Sequence, residues 1–405
     1  MQSTDSHHST LNDYVPTSAT HYAISDRIKN FAPSWFAVNM GTGAVSVLFQ
    51  IFPYGSQPVL QAFGAAFLIL NIIIFVVFLV FAILRYVKHP EIFRLMYEHP
   101  VQSLYMGCCP MGFATIINAS LKINQVYGIG GESLLHWLWG LWWFDAMVSL
   151  MLYFHLLYTM ITRHNHSIQA LTAAWLLPTV TPIVPSTTGA LLADALLPHS
   201  AHSATVTLFM ATVMLFLGLG LTFMILPLYT LRLITVGLPP NTLITTKFLP
   251  VGPCGQAGTA FIIIGQVLAK LAERGVSQNM LLRDAQPLAL IGFCAGFFLW
   301  TFGVWWFALS VVAIAETFVT NRPQFAVGFW GMVFPLGVYS LLTVYISEVL
   351  DSAFFRVVAS IFTLLVFMLW GTLAIMTVYD LSEHREELLN ASCLPDSGTN
   401  RDKAK

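Results

Sequence analysis

The side chains of this 405-residue chain that could do chemistry are few and scattered. Histidines pair at metal-ligand spacing in His7-His8, in His164-Asn165-His166 and in His199 with His202. A metal centre needs several such ligands facing one point, with acidic or thiolate partners. These pairs fall in a tail and in loops expected on opposite sides of a membrane, so neither a metal site nor any cofactor is expected. The five cysteines (Cys108, Cys109, Cys254, Cys294, Cys393) form no CxxC, and at least four lie in or beside apolar runs, where cysteine is a small packing residue. No nucleophile stands with a base in a pattern that would make an enzyme. Asp145, in Trp142-Trp143-Phe144-Asp145, is the one acid near the middle of an apolar run. An ionisable group there is a functional candidate by default, and both a structural role and a proton-coupling role are open to it.

A different chemistry, the handling of an ion by backbone and hydroxyl groups, is suggested by a recurring interruption. Five hydrophobic segments, every second one, carry glycine or proline breaks: Met40-Gly41-Thr42-Gly43, Cys109-Pro110-Met111-Gly112, Val184-Pro185-Ser186-Thr187-Thr188-Gly189, Pro250-Val251-Gly252-Pro253-Cys254-Gly255 and Phe334-Pro335-Leu336-Gly337. Proline removes a backbone donor and kinks a helix, and glycine admits a neighbouring backbone. Irregular backbone at membrane depth is tolerated only inside protein or beside a water-filled cavity. Five such segments in alternation predict five kinked helices around one pathway. Their small polar residues supply the candidate lining: Asn39, Thr42, Ser46, Thr115, Asn118, Ser186, Thr187, Gln256, Thr259 and Ser340. Hydroxyls, amides and the positive ends of broken helices could face an anion. Each of these residues, taken singly, is more simply read as a helix-packing residue. Phe334, directly before Pro335, could close a pore as a hydrophobic constriction. From spacing alone it reads as an ordinary core phenylalanine, one of 31.

The elements that must position these residues follow from composition. The chain is 57% hydrophobic and 9% charged, with mean hydropathy +0.73, against about 25% charged in a soluble domain. A net charge of −1 gives no basic field, so no nucleic-acid partner is expected. A spanning helix needs about 20 mostly apolar residues. Ten segments qualify, at 33–52, 59–86, 102–121, 135–160, 169–191, 204–233, 250–270, 288–319, 325–346 and 356–381, with the sixth and eighth long enough to tilt or project. The polar start lacks the basic-then-apolar pattern of a cleaved signal, so the first segment reads as a retained span. The resulting division is an N-terminal tail (1–32), a ten-span transport unit (33–381) and a C-terminal tail (382–405), with the tails cytoplasmic. Basic residues support that orientation: thirteen fall on the cytoplasmic side against five outside, and Lys247 and Arg322 among the thirteen are expected to gather anions at the inner mouth. The sequons at Asn118, Asn165 and Asn390 are then membrane-embedded or cytoplasmic and are expected to be unglycosylated. Residues 89–100 read as a linker helix lying on the membrane. The interrupted spans are expected to form an inner ring, with the smoother, Leu- and Phe-rich spans facing lipid outside it.

Five motifs in order carry a family resemblance over roughly residues 33–381: Phe52-Pro53-Tyr54; Pro110-Met111-Gly112 followed by Thr115-Ile116-Ile117-Asn118; Trp142-Trp143-Phe144-Asp145; Gly252-Pro253-Cys254-Gly255-Gln256; and Gly328-Phe329-Trp330-Gly331-Met332-Val333-Phe334-Pro335-Leu336-Gly337. The chain resembles the tellurite-resistance and dicarboxylate transporter family, which includes the plant guard-cell slow anion channel and fungal malate permeases. Within it the fungal sulfite efflux pumps are the most similar in motif. The resemblance implies an all-α membrane protein of ten helices, paired as five hairpins with quasi-fivefold symmetry around a central pore. It also implies that Phe334 occupies the family's gating position, which reverses the reading from spacing. Trimers with one pore per subunit are common in the family. Without the long phosphorylated tails of the plant channels in this sequence, activation by a kinase is not expected.

The function expected is export of sulfite or bisulfite across the plasma membrane, conferring sulfite tolerance, with the anion and the lipid bilayer as partners. A malate or other C4-dicarboxylate permease is the near alternative. It is disfavoured because the interrupted spans offer no paired cations for two carboxylates. A membrane enzyme or receptor is the distant alternative.

Overall fold

The computed structural model describes residues 28–238, 246–274, 285–320 and 325–382. His7-His8, the Asn390 sequon, Cys393, Arg322 and nearly all of both tails lie outside the described residues. Eleven α-helices follow one another: α1 (Phe36–Ile51), α2 (Gln57–Lys88), α3 (Pro90–Glu98), α4 (Cys108–Tyr127), α5 (Gly131–Thr162), α6 (Leu177–Leu196), α7 (Ala201–Val236), α8 (Val251–Glu273), α9 (Ala285–Thr320), α10 (Val333–Val349) and α11 (Ala353–Ser382). Among the described residues nine helices are long and apolar enough to cross a membrane. The first expected span is shorter, a 3-10 turn (Pro33–Trp35) running into the 16-residue α1.

The alternation read from the sequence is a division into two rings. The inner ring is α1, α4, α6, α8 and α10. Each packs on the next, and α10 closes onto α1. The outer helices are α2, α5, α7, α9 and α11, each following its inner partner. Of the most apolar stretch of each span, 61–94% is buried in α4, α6, α8 and α10, but only 11–44% in the outer helices. Ile69, Phe144, Phe209, Ile291 and Ile361 exemplify the large apolar side chains left on the outer surface, where lipid tails can solvate them.

The prolines act differently from the kinks expected. Of the five inner helices, as far as the described residues go, only α6 holds prolines in its interior, at Pro182 and Pro185; the outer helix α7 holds Pro227. Pro110, Pro253 and Pro335 sit in the first turn of α4, α8 and α10, where the missing N–H has little to bond to. Ahead of each inner helix runs a 3-10 stretch: Pro33–Trp35, Gln102–Gly107, Ala173–Leu176, residues 246–248 and Val327–Met332. At the fourth of these the Gly252 N–H reaches back three residues to Leu249 O (3.0 Å), the carbonyl that a fourth-residue partner at Pro253 could not reach. The fivefold repeat is therefore a repeat of 3-10-to-α junctions.

All five inner helices run the same way. Arg85, at the end of α2, donates to Lys29 O just before α1 (3.0 Å), and Trp330, just before α10, donates to Thr377 near the end of α11 (3.0 Å). The inner N-terminal ends and the outer C-terminal ends thus share one side, called here the terminal side. The linker helix α3 lies there, with Ile92 and Met96 buried against the bundle and Phe93 and Leu95 exposed.

Candidate functional site

Two cavities lie within the inner ring. The terminal-side cavity is about 40 Å³ and is lined by residues such as Ala37, Met40, Cys108, Met111, Leu177, Val180, Leu249, Gly252 and Gly331. The far-side cavity is about 30 Å³ and is lined by Gly43, Ala44, Val47, Thr115, Asn118, Lys122, Val184, Leu191, Gln256, Val338, Leu341 and Tyr345, among others. Phe334 lines both and is only 4% exposed. Residues lining the two cavities recur every three or four positions along each inner helix: Met40, Ala44 and Leu48; Cys108, Met111, Thr115, Asn118 and Lys122; Leu177, Val180 and Val184; Leu249, Gly252 and Gln256; Gly331, Phe334, Val338, Leu341 and Tyr345. That spacing is one face of a helix. Five faces therefore enclose one axis, and the Phe334 ring stands between its two halves.

Close packing around the axis depends on glycine at the α8–α10 contact. A Cβ on Gly255 would stand 2.6 Å from Tyr339 N and 2.7 Å from the carbonyl carbon of Val338, with rigid backbone on the receiving side. Gly43 serves similarly at the meeting of α1, α2 and α4, where a Cβ would meet Thr115 Cβ at 2.5 Å and Asn71 Nδ2 at 2.7 Å.

Of the polar candidates, Thr115, Asn118 and Gln256 line the far cavity. The others lie off the lining faces, and most tie helices together. Asn39 donates to Asn71 Oδ1 (2.6 Å), and Asn71 donates to Thr115 Oγ1 (3.2 Å), linking α1, α2 and α4. Thr42 accepts from Trp370 Nε1 of α11 (3.0 Å), and Ser46 donates to Gly64 O of α2 (2.7 Å). Thr187 donates to Gln256 O (3.0 Å), and Thr259 donates within its own helix to Gly255 O (2.9 Å). Ser340 shares a bond with Thr363 Oγ1 (2.6 Å). Ser186 is buried, and its hydroxyl has no partner among the described residues. Asn71 was not singled out from sequence, although a lone asparagine inside the apolar run Leu70-Asn71-Ile72 was a visible signal.

Lys247, expected to gather anions at a mouth, is buried and donates to Ala313 O (3.2 Å) and Thr317 Oγ1 (3.3 Å) of α9. Asp145 is 1% exposed on the inward stripe of α5, and its Oδ2 has no partner among the described residues. One turn along, the Ser149 hydroxyl is buried and also unpartnered. The histidine pairs lie at opposite ends of α6: His164 and His166 before it, His199 and His202 after it. His164 Nε2 lies 3.2 Å from Tyr97 O, the His166 ring packs 4.5 Å from Trp175, and His199 pairs with Glu132. Burial, reinforced by the charge of His164, lowers the pKa of both His99 and His166. Among the described residues no three His, Cys, Asp or Glu side chains converge as metal ligands do.

Comparison with known proteins matches the sequence to a family. The sequence model for the voltage-dependent anion channel family, SLAC1, matches residues 30–378. The sulfite efflux pump SSU1 of Arthroderma benhamiae is 36% identical over 359 residues, covering 87% of this chain and 91% of that protein. The sulfite efflux pump SSU1 of Candida albicans is 29% identical, covering 93% and 80% of the two chains. The malic acid transport protein of Schizosaccharomyces pombe is 26% identical over 383 residues, covering 93% and 83%. The match spans nearly the whole helical bundle, and these relatives are membrane transporters rather than enzymes. The chain belongs to the voltage-dependent anion channel family.

Proposed function

We propose that the chain exports sulfite or bisulfite across the plasma membrane, along the axis of the inner ring, with Phe334 as the closing element. The observation that carries this reading is the pair of cavities on one axis with a single aromatic ring between them. Anions enter at the terminal side, where the N-terminal ends of five inner helices add their partial positive charges. Phe334 swings aside, and the anion passes into the far cavity and out. The terminal side is cytoplasmic: Lys29, Arg85, Lys88, Arg94, Arg163 and Arg232 lie there, outnumbering Lys122, Lys270, Arg274 and Arg356 on the far side. Sulfite is favoured over a C4-dicarboxylate because one cation, not two, lines the cavities. Cells carrying the chain should tolerate sulfite better than cells without it.

The test is efflux of sulfite from proteoliposomes holding the purified full-length chain, with malate, nitrate and chloride as competitors. Sulfite release that malate fails to inhibit supports the reading. Malate flux without sulfite flux replaces it with the dicarboxylate alternative, and absence of any anion flux removes transport along this axis.

A further inference from the structure

We propose that the far cavity is a binding site for the transported oxyanion, and that Lys122 is the residue that holds it there. This rests on the transport reading above and adds a residue and a place to it. Three observations converge. Lys122 is the single charged side chain among the residues lining either cavity. Among the described residues its ammonium makes no hydrogen bond or ion pair, whereas Lys270 on the same side is paired with Asp194 (2.5 Å). Two carboxamides line the same space: Asn118, one turn before Lys122 on α4, and Gln256 on α8, which is 2% exposed. The side-chain oxygen assigned to each amide is buried and unpartnered. An amide can turn its NH₂ toward an anion without moving the backbone, since its O and N exchange places by a flip. The Thr115 hydroxyl completes the rim.

The helices explain why a cation is needed on this side only. The inner helices present positive N-terminal ends to the terminal cavity and negative C-terminal ends to the far side. An anion that has passed Phe334 enters a field of the wrong sign, and Lys122 reverses it locally. Glu348, near the end of α10, is within electrostatic reach of Lys122, and no ion pair joins the two among the described residues. It is the standing competitor that loosens the anion toward the exit. The ligand class that fits is a compact oxyanion able to accept from one ammonium and two amides at once.

The test uses excised membrane patches carrying the full-length Phe334→Ala chain, so that the aromatic ring does not limit the current, with sulfite applied from the Lys122 side. Lys122→Gln should raise the half-saturating sulfite concentration on the order of tenfold, as expected for the loss of one charge-assisted contact, and more than it lowers the limiting current. Lys122→Arg should restore it to within about twofold, since the charge returns. Glu348→Gln should shift half-saturation the other way. If Phe334→Ala conducts sulfite and Lys122→Gln leaves half-saturation unchanged, the binding site falls while the pathway stands. If Phe334→Ala carries no sulfite current, the pathway falls and the site with it. Size-exclusion profiles matching the parent exclude misfolding as the cause of a shift.

Discussion

Truncating Phe334 to alanine is the sharpest test of the axis. The ring is 4% exposed and has a cavity of about 40 Å³ on one side and about 30 Å³ on the other. Its removal joins the two into one water-filled column. A small ion forced through a dry constriction suffers an effective desolvation penalty of several kcal/mol. If water in the vacated space recovers about 3 kcal/mol of that, the anion current rises on the order of a hundredfold. Phe334→Leu leaves a smaller apolar plug, and recovery of about 1.4 kcal/mol would give roughly tenfold. Truncating a packed phenylalanine costs about 3–5 kcal/mol of stability, and the low end applies here because part of the ring's surface borders empty space. Currents from planar bilayers, normalised to protein amount, provide the measurement, with Phe329→Ala as the control. Phe329 lies in the 3-10 stretch just ahead of α10 but lines neither cavity, so its truncation should leave the current unchanged. Equal currents from the folded parent, Phe334→Leu and Phe334→Ala, or a rise in Phe329→Ala as large as in Phe334→Ala, would refute the assignment.

Further outcomes follow from neighbouring features. Gly255→Ala drives a Cβ into α10 backbone and should cost about 1–3 kcal/mol, read as a lowered unfolding temperature in detergent. Thr42→Val strands the partly buried Trp370 indole N–H, costing about 1 kcal/mol, but should leave anion permeability ratios unchanged because Thr42 lines neither cavity. Cys108 borders the terminal cavity and Cys254 borders neither, so a small hydrophilic thiol reagent applied from the terminal side should label Cys108 and spare Cys254 in mass spectrometry. His99 and His166 have folded-state pKa values below the ordinary 6.5, so the fold favours their neutral forms. The stability they contribute is full above about pH 6.5 and is lost as pH falls through their lowered values. His99 Nδ1 accepts from the Val101 and Gln102 N–H groups (3.2 Å each), and protonation removes that acceptor. Hydrogen-exchange protection across residues 97–104 and 163–172, taken relative to the intrinsic rate at each pH, should therefore fall on acidification, and His166→Gln should reduce the effect in the second segment.

Much of the architecture was legible because lipid imposes a length and composition rule on every span. All ten expected segments are helical, and the two longest, α7 and α9, are 36 residues each. The inner and outer rings were legible from alternation, since a helix enclosed by other helices favours small residues and a lipid-facing one has no such need. The lining was less legible. Hydroxyls and amides were the candidates, but a polar side chain inside a bundle serves as well to tie two helices as to face an ion, and composition does not separate the cases. Helical phase does. Thr42 lies about 200° around α1 from Met40, so if Met40 faces the axis, Thr42 faces α11. Taking the phase from Phe334 along α10 would have found Val338, Leu341 and Tyr345 directly. Lys247 was misplaced for a related reason: charge near a span end gives a side of the membrane, not a direction around the helix, and its ammonium lies on α9.

The parallel sense of the inner helices joins these points. A closed ring of helices that all start on one side adds five dipoles in register, while the antiparallel outer helices place their opposing ends toward the lipid perimeter. The terminal cavity can therefore attract anions without any basic residue on its wall, and its lining residues include none. Attraction by partial charges spread over many backbone groups is weak at any one point, which suits passage, because an ion held by a lysine cluster would leave slowly. The far half cannot work this way, since the same dipoles repel there, and it is on that half that the one lining cation is found. The proposed pathway would thus be polarised by its backbone, with a single side chain on the far side correcting the field. Loss of Lys122 should thus be felt by anions in the far cavity and little by anions entering at the terminal side.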